Sequence, residues 1–548
     1  MRFLRSFLLI ALLGATITGT TRFVSHRPAA APTPDTPAAR NLAGEISALL
    51  NAGAIPGAPT TEERAWLEGF YPPDTSAPVW VTTEGDLTAA GRQTAELLAG
   101  ADSHGLNPDH YRVAAAPEDG AMYEVAVTLS MRRFLQDIGA GRVNPASLGI
   151  DLPTNRAPLP SPTAVRDAAV AGKTTASLTA VMPTLGNYEG VRRALATYRV
   201  MAQQAEPDPL STPASSIHMG DPLPWGSALR SRLEQLGDLP PTANDGGSVA
   251  IDDVYSSSLE IGVKSFQRRH NLVDDGVIGK GTVAALNVPI ATRMRQLEMA
   301  LERLRWLPRD LDGPVVLVNV PMYRLWAWDS SHADVPTMTM RVVVGTAGRN
   351  ATPVLASTFE RVIFRPYWNV PRSIVINEIL PKVKADPGYL AAHRYELVRG
   401  QTDRGEVVAV TPGSLAELEQ GALRVRQQPG PTNSLGLVKF DFPNRHDVFL
   451  HDTPSTAAFA RDGRALSHGC VRVQDPLGLA SWLLGPDTWS REAAQAATQQ
   501  RDAQSVRLPR PVHLLVTYST ASVDADGTVR FASDIYGQDK RLDGVLRR

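Results

Sequence analysis

The sequence predicts a multidomain α+β protein: a helical N-terminal scaffold, a compact three-helix module and a β-rich C-terminal domain carrying an inserted cap. Three observations lead there. The 548 residues exceed several times over the roughly 100 to 200 of a typical domain. Apolar residues recur at helical spacing through the first half, and from residue 313 the period changes to two.

The chain opens with Arg2 and Arg5, then an apolar run from Phe7 to Ile17 broken by Gly14 and Thr16. A basic start before a short apolar stretch is the pattern of an export leader, so residues 1–26 are expected to act as a signal peptide or as an inner-membrane anchor, with the mature protein in the periplasm. The run falls short of the ~20 residues that span a bilayer, and no cysteine stands directly after it to accept a lipid. Residues 27–40, with Pro28, Pro32, Pro34 and Pro37, form a Pro/Ala linker.

From 41 to 222 the pattern is that of a helical scaffold domain. Val127, Met131, Phe134, Leu135 and Ile138 fall on one helical stripe, with Gly139 as the expected stop. No concentration of catalytic residue types occurs there. The next unit, 223–290, places Leu229, Leu233 and Leu236 on one helical face and Leu259, Val263 and Phe266 on another, with a turn at Asp274-Asp275-Gly276 and a third helix ending near Leu286. Its stretches Val263-Lys264-Ser265-Phe266-Gln267-Arg268-Arg269-His270 and Asp275-Gly276-Val277-Ile278-Gly279 resemble the peptidoglycan-binding module of three short helices. The resemblance implies either a glycan-binding unit or a spacer that keeps the fold alone.

The β-rich domain is expected over 313–520. Pro314 to Val320 is a nearly continuous apolar run, Tyr323 to Trp328 alternates, and Met338, Met340, Val342 and Val344 share one face of a further strand. Later strands are expected at Phe359–Phe364, Val448–Leu450 and Val512–Tyr518. Residues 372–430, charged, helical and rich in Pro and Gly, interrupt this pattern as an inserted cap. Asp526-Gly527 marks a hairpin turn within a C-terminal hairpin and tail, 521–548.

Composition narrows the function. With 55 basic against 56 acidic residues the chain has no global field to concentrate nucleic acid, so none is expected as a partner. Its single cysteine, Cys470, cannot form an internal disulfide, and an exported protein that keeps a lone thiol invites a chemical reason. That residue stands in Ser467-His468-Gly469-Cys470-Val471-Arg472-Val473, downstream of Phe449-Leu450-His451-Asp452. A thiol with a reference pKa of about 8.5 needs a base or a positive neighbour to become a nucleophile, and His451, His468 and Arg472 are at hand. Gly469 permits a tight backbone that could aim successive N–H groups at one point, as an oxyanion hole requires. A zinc site built from His451, His468 and Cys470 lacks any HExxH or paired-Cys spacing, and no metal or cofactor is expected.

Ser-His-Gly-Cys with an upstream His closely resembles the signature of the L,D-transpeptidase catalytic domain, also called the YkuD domain, and the large YcbB-type members in particular. Supporting stretches are Phe364-Arg365-Pro366-Tyr367-Trp368-Asn369-Val370-Pro371-Arg372-Ser373, Leu380-Pro381-Lys382, Gly436-Leu437-Val438-Lys439-Phe440 and Leu304-Arg305-Trp306-Leu307-Pro308. Some members have Asn where Arg472 stands. The resemblance implies Cys470 as nucleophile, His451 as the base that takes its proton, and a backbone carbonyl near Asp452, rather than the Asp452 carboxylate, as the partner of His451. It also implies an oxyanion hole from the backbone of His468, Gly469 and Cys470. Arg472, Arg372 and Trp368 are the candidates for substrate contact, the two arginines matching stem-peptide carboxylates, with structural pairing to acidic neighbours as the alternative.

The implied reaction is a two-step acyl transfer in cell-wall biogenesis and the upkeep of cell shape: a donor tetrapeptide stem of peptidoglycan loses its terminal D-Ala to a thioester, and a second stem's amine resolves it into a 3→3 cross-link. The same site running to hydrolysis would make an L,D-carboxypeptidase or endopeptidase. Partners implied are peptidoglycan stem peptides and glycan, with cell-wall synthases and carboxypeptidases supplying the donor. Carbapenems are the expected inhibitors.

Overall fold

In the computed structural model, the described residues are 41–547 without 74–76, 114, 154–157, 242–252, 310, 332, 334 and 401–404. The leader 1–26 and the linker 27–40 therefore lie outside the described residues. Within them the expected α+β arrangement stands, and residues 41–548 group as one compact unit.

The scaffold packs helices around Ala121–Ala140. All five residues of the expected stripe are at most 2% exposed, in a core shared with Ile46, Leu67, Phe70 and Trp80. The helix does not stop at Gly139. It ends against Gly141, whose φ of +79° suits only glycine and whose missing Cβ leaves room for the side chains of Glu302 and Trp306. The later helix Tyr188–Met201 packs elsewhere, joining Tyr188, Val191, Leu195 and Tyr198 to Leu297, Leu301 and Phe531.

In the small module the helices are Gly226–Gln235, Ser257–Arg269 and Lys280–Leu286. Leu229, Leu233, Leu259, Val263 and Phe266 are all 0% exposed, and the turn glycine Gly276 has φ +79°. Tyr255 donates its hydroxyl to the Gly276 carbonyl at 2.6 Å, locking that turn.

Five strands open the β-rich domain: β1 (Val315–Asn319), β2 (Arg324–Trp328), β3 (Met338–Gly345), β4 (Leu355–Thr358) and β5 (Arg361–Phe364). The cap contributes β6 (Trp368–Asn369), β7 (Tyr395–Arg399), β8 (Glu406–Val408) and β9 (Leu423–Gln427). Then come β10 (Val438–Asp441), β11 (Leu450–His451), β12 (Ala465–Ser467), β13 (Val471–Val473), β14 (Gln504–Arg507), β15 (His513–Thr517) and the hairpin β16 (Ala521–Val523) and β17 (Val529–Phe531). An eleven-stranded sheet runs β14-β5-β10-β11-β13-β3-β2-β1-β15-β4 with β12 beside β3. One face is a continuous core of Val316, Val318, Leu325, Val342, Val344, Val362, Phe364, Val438, Phe440 and Leu450, closed by the helix Pro476–Leu484.

Two expectations are corrected. The cap is a small α/β unit with its own four-stranded sheet, β6-β9-β7-β8, and its own core of Val383, Leu390, Leu397, Leu418 and Val425, and its sheet begins at Trp368, before 372. The C-terminal tail after the hairpin is a helix, Gln538–Leu546, held to the helix Ile290–Leu304 by Arg303–Asp539 at 2.6 Å and Arg295–Asp543 at 2.5 Å.

The stretch that links module to sheet carries a buried ion pair. Arg305 Nη1 reaches Glu302 Oε2 at 3.0 Å, with side chains 0% and 1% exposed. Arg305 also donates to the Tyr188 hydroxyl at 3.0 Å and to the His104 carbonyl, while Glu302 accepts the Val143 N–H at 2.8 Å and the Trp306 indole N–H at 3.3 Å. Trp306 in turn belongs to the core of the catalytic sheet. Removing one member strands the other charge in a dry junction, so Glu302→Ala should cost about 3–5 kcal/mol, read as a large fall in the thermal unfolding midpoint of the full chain. An unchanged midpoint would show that the pair does not hold the junction.

Candidate functional site

The site is a product of strand alternation. β11 lies between β10, antiparallel with Lys439 opposite His451, and β13, parallel with Leu450 opposite Val471 and His451 opposite Arg472. Successive side chains of a strand point to opposite faces. Leu450, Val471 and Val473 therefore enter the core at 0–2% exposure, and Lys439, His451 and Arg472 share the other face. The Val471 N–H donates to the Phe449 carbonyl at 3.0 Å, which extends the ladder and places Cys470, one residue before β13, on the His451 side. Lys439 and Arg472 are the cationic neighbours of its sulfur.

His451 is 4% exposed. Its Nδ1 meets the Asp452 carbonyl at 2.5 Å, which fixes the proton on Nδ1 and leaves Nε2 as the acceptor. The Asp452 carboxylate is occupied elsewhere, accepting the N–H groups of Leu437 at 2.8 Å and Thr453 at 2.7 Å. Burial, reinforced by the charge of Arg472, lowers the imidazole pKa to about 3, and backbone hydrogen bonds to Asp452 and Leu435 offset this only partly. Burial also raises the Cys470 thiol to about 11, against the pull of a Phe449 backbone hydrogen bond and of Lys439 and Arg472. At neutral pH the resting pair is thus a thiol and a neutral imidazole. The imidazole is free to accept a proton once a substrate excludes water and stabilises the charge that follows.

The loop before the cysteine is tied down by residues to which the sequence assigned no role. Ser467 donates its hydroxyl to the Cys470 carbonyl at 2.6 Å and accepts the Gly469 N–H at 3.1 Å. Thr352 donates to the Gly469 carbonyl at 2.8 Å and accepts the Gly345 N–H at 2.8 Å, and Tyr536 donates to the Gly345 carbonyl at 2.5 Å. Gly469 sits at φ +122°, a conformation closed to other residues. The expected oxyanion hole is corrected on one point: the Gly469 N–H is already bonded to Ser467. Among the described residues the N–H groups of His468 and Cys470 carry no partner, and these two remain as donors.

His468 faces the cap, with Nε2 at 2.8 Å from Glu378 Oε1. Glu378 lies in a π-helical turn, Val375–Ile379, so the catalytic loop and the cap meet in one half-exposed pair. A zinc ion shared by His451, His468 and Cys470 would need His468 turned away from Glu378, and no group of three or more metal-ligating side chains occurs among the described residues.

The substrate-contact candidates divide. Arg372 is corrected: its guanidinium donates to the carbonyls of Leu418 at 3.3 Å and Glu419 at 2.5 Å, closing the C-terminal turn of the cap helix Pro412–Gln420 where the helix dipole favours a cation. Trp368 sits half-buried at the edge of the cap core, its ring 6.2 Å from Tyr395. Arg472 stays on the catalytic face, with a buried Nε that has no hydrogen-bond partner.

Residues 313–507 match the family of the L,D-transpeptidase catalytic domain (YkuD), residues 65–195 that of the scaffold domain, and residues 227–286 that of the peptidoglycan binding domain. A protein of Haemophilus influenzae, provisionally named an L,D-transpeptidase, is 34% identical over 250 residues, covering 45% of this chain and 49% of that protein; the chain thus spans about half the length of this curated relative. An L,D-transpeptidase structure from Xylanimonas cellulosilytica aligns at 17% identity and TM-score 0.18 over 56% of this chain and 100% of its own. One from Stackebrandtia nassauensis aligns at 16% identity and TM-score 0.22, over 57% and 97%.

Because the thiol is held at about 11, above its usual value of about 8.5, the thiolate fraction at pH 7 is smaller than that of free cysteine and keeps growing through pH 9 and 10. Alkylation of Cys470 by iodoacetamide should therefore be slower than that of free cysteine at pH 7 and should still be rising where free cysteine has levelled off. A fast, flat rate between pH 6 and 8 would instead reveal a preformed thiolate–imidazolium pair.

Proposed function

We propose, from the L,D-transpeptidase catalytic domain to which residues 313–507 belong, that this protein is a periplasmic enzyme that cross-links peptidoglycan by acyl transfer through Cys470. The observation that carries the reading is the shared sheet face of Cys470 and His451, with the imidazole pinned through Nδ1 so that Nε2 is left to act.

In the first step His451 Nε2 takes the thiol proton as the sulfur attacks the carbonyl carbon of the third residue in a donor tetrapeptide. The N–H groups of His468 and Cys470 hold the oxyanion, worth about 3–4 kcal/mol for a single good donor in comparable sites. Collapse breaks the amide C–N bond, and the imidazolium returns its proton to the departing D-Ala amine, leaving a thioester. An acceptor amine then loses a proton to His451, attacks the thioester, and releases the thiol with a new amide bond, the 3→3 cross-link. Arg472 supplies an unmatched guanidinium beside the sulfur for a donor carboxylate. The cap, joined to the catalytic loop through Glu378 and His468, covers the thioester and slows its hydrolysis. Wall glycan is held by the three-helix module.

Incubated with tetrapeptide-rich sacculi, the full chain should produce 3→3 dimers detectable by mass analysis of muropeptides. Cys470→Ala should produce none, and His451→Ala should lower the rate by roughly 10²- to 10⁴-fold, the usual weight of a general base. Release of D-Ala with tripeptide monomers alone would replace the transferase by a carboxypeptidase.

A strained lactam presents the same carbonyl chemistry to the same thiol. One carbapenem adduct per chain is expected by intact-protein mass spectrometry, absent in Cys470→Ala and slowed in His451→Ala. Adduct formation without Cys470 would refute the nucleophile.

A further inference from the structure

Away from the thiol, the same sheet face carries a second concentration of charge. Arg324 of β2 and Arg341 of β3 are opposed partners in the antiparallel pair. Arg341 is two residues along β3 from Val343, the partner of Arg472, so Arg472, Arg341 and Arg324 project from the face that bears His451. Arg464, from the turn before β12, and Arg530 of β17 complete the cluster: Arg324 feels the charges of Arg530 and Arg341, and Arg464 those of Arg341 and Arg324.

Among the described residues, the one of these four guanidiniums held in an ion pair is that of Arg530. The carboxylates near them are Asp524, bonded to Arg530 Nε at 2.5 Å and acting also on Arg324, Asp526, which feels the charge of Arg530, and Asp462, near Arg464, whose carboxylate accepts the Val273 N–H. Arg464 donates to the Arg461 carbonyl at 2.6 Å and to Asn271 Oδ1 at 3.0 Å, but its buried Nε has no partner. Arg341 donates to the Phe459 carbonyl at 3.3 Å. No hydrogen bond or ion pair engages the Arg324 guanidinium among the described residues; it lies 6.0 Å from the Trp326 ring and lines, with Trp326 and Trp328, a cavity of about 830 Å³. Burial and the neighbouring arginines lower Arg324 and Arg464 to about 10. Like charges opposed across a strand pair destabilise it, and a guanidinium stays protonated at neutral pH, so the opposed pair Arg324 and Arg341, to which no carboxylate is bonded among the described residues, is stabilised by an anion from outside.

The three-helix module adjoins the cluster. Arg530 Nη1 donates to the Arg268 carbonyl at 2.9 Å, and Asn271 donates to the Pro321 carbonyl at 3.2 Å. We propose that the opposed pair Arg324 and Arg341, flanked by Arg464 and Arg530, binds the free carboxylates of a peptidoglycan stem peptide beside the module, separate from the stem that reacts at Cys470. This rests on the reading of peptidoglycan as the substrate, and its charge complementarity is the reason for choosing a stem peptide over bare glycan.

The test is equilibrium binding of the full chain, carrying Cys470→Ala to prevent turnover, to three forms of sacculus: native, with stem carboxylates chemically amidated, and with stems removed by an amidase. Binding should fall by about 10-fold when carboxylates are amidated or stems removed, and by a similar factor for Arg324→Gln or Arg341→Gln on native sacculi, the weight of one charged hydrogen bond. On amidated sacculi the variants should match the parent. Arg324→Gln should also raise the unfolding midpoint at low salt, since it relieves repulsion, whereas a structural arginine would lower it. Equal binding to native and amidated sacculi, or variants that bind native sacculi like the parent, overturns the proposal. Carboxylate-dependent binding by a chain whose cysteine form yields no 3→3 dimers would support this arginine site and fault the catalytic reading alone.

Discussion

The register between two short strands is the constraint on which the chemistry rests. With Leu450 opposite Val471 and His451 opposite Arg472, each core residue is followed by one that faces the site. Burying side chains such as Leu450, Val471 and Val473 stabilises this register by about 1.5–3 kcal/mol each. A slip of one residue would turn the imidazole into the core and expose three apolar groups. The hydrophobic effect thereby sets the geometry of a polar pair, and the same burial keeps that pair uncharged at rest.

Around this register the support comes from far away in the chain. Thr352, from before the motif, bonds the Gly469 carbonyl and is itself held by Tyr536, from after it, and the Glu302–Arg305 pair joins the linking helix to the scaffold through Val143, His104 and Tyr188. The helical N-terminal half, none of whose described residues enters the site, forms the surface against which Trp306 and the sheet core are closed.

What could be read in advance followed the range of the interactions involved. Cys470, His451 and Gly469 stand in recognisable motifs, and the strands announce themselves, β1 as a nearly continuous apolar run and β2 and β3 through alternation. Long-range hydrogen bonds leave no periodic trace, so Ser467, Thr352, Tyr536 and Glu378 received no part. Arg372 misled because a cation near an aromatic stretch suits a carboxylate, while its actual partners, two carbonyls at a helix end, are invisible without the helix Pro412–Gln420 in place. The cap sheet escaped for a related reason. In Leu423-Arg424-Val425-Arg426-Gln427 the alternation is strict, yet the charged residues that occupy its other face gave the segment the composition of a surface loop.

The docking of the small module has a mechanical meaning. Its loop is bonded to the catalytic domain through Asn271, Arg268 and Val273, where a tether of variable length would have allowed the two to drift. A freely tethered binding unit raises the local concentration of substrate over a sphere whose radius its linker sets. Under the proposed function a unit bolted to the sheet behaves as a caliper instead: the span from the point of grip to the sulfur is built into the fold, and only attachment sites that lie that far apart along the polymer are presented for reaction.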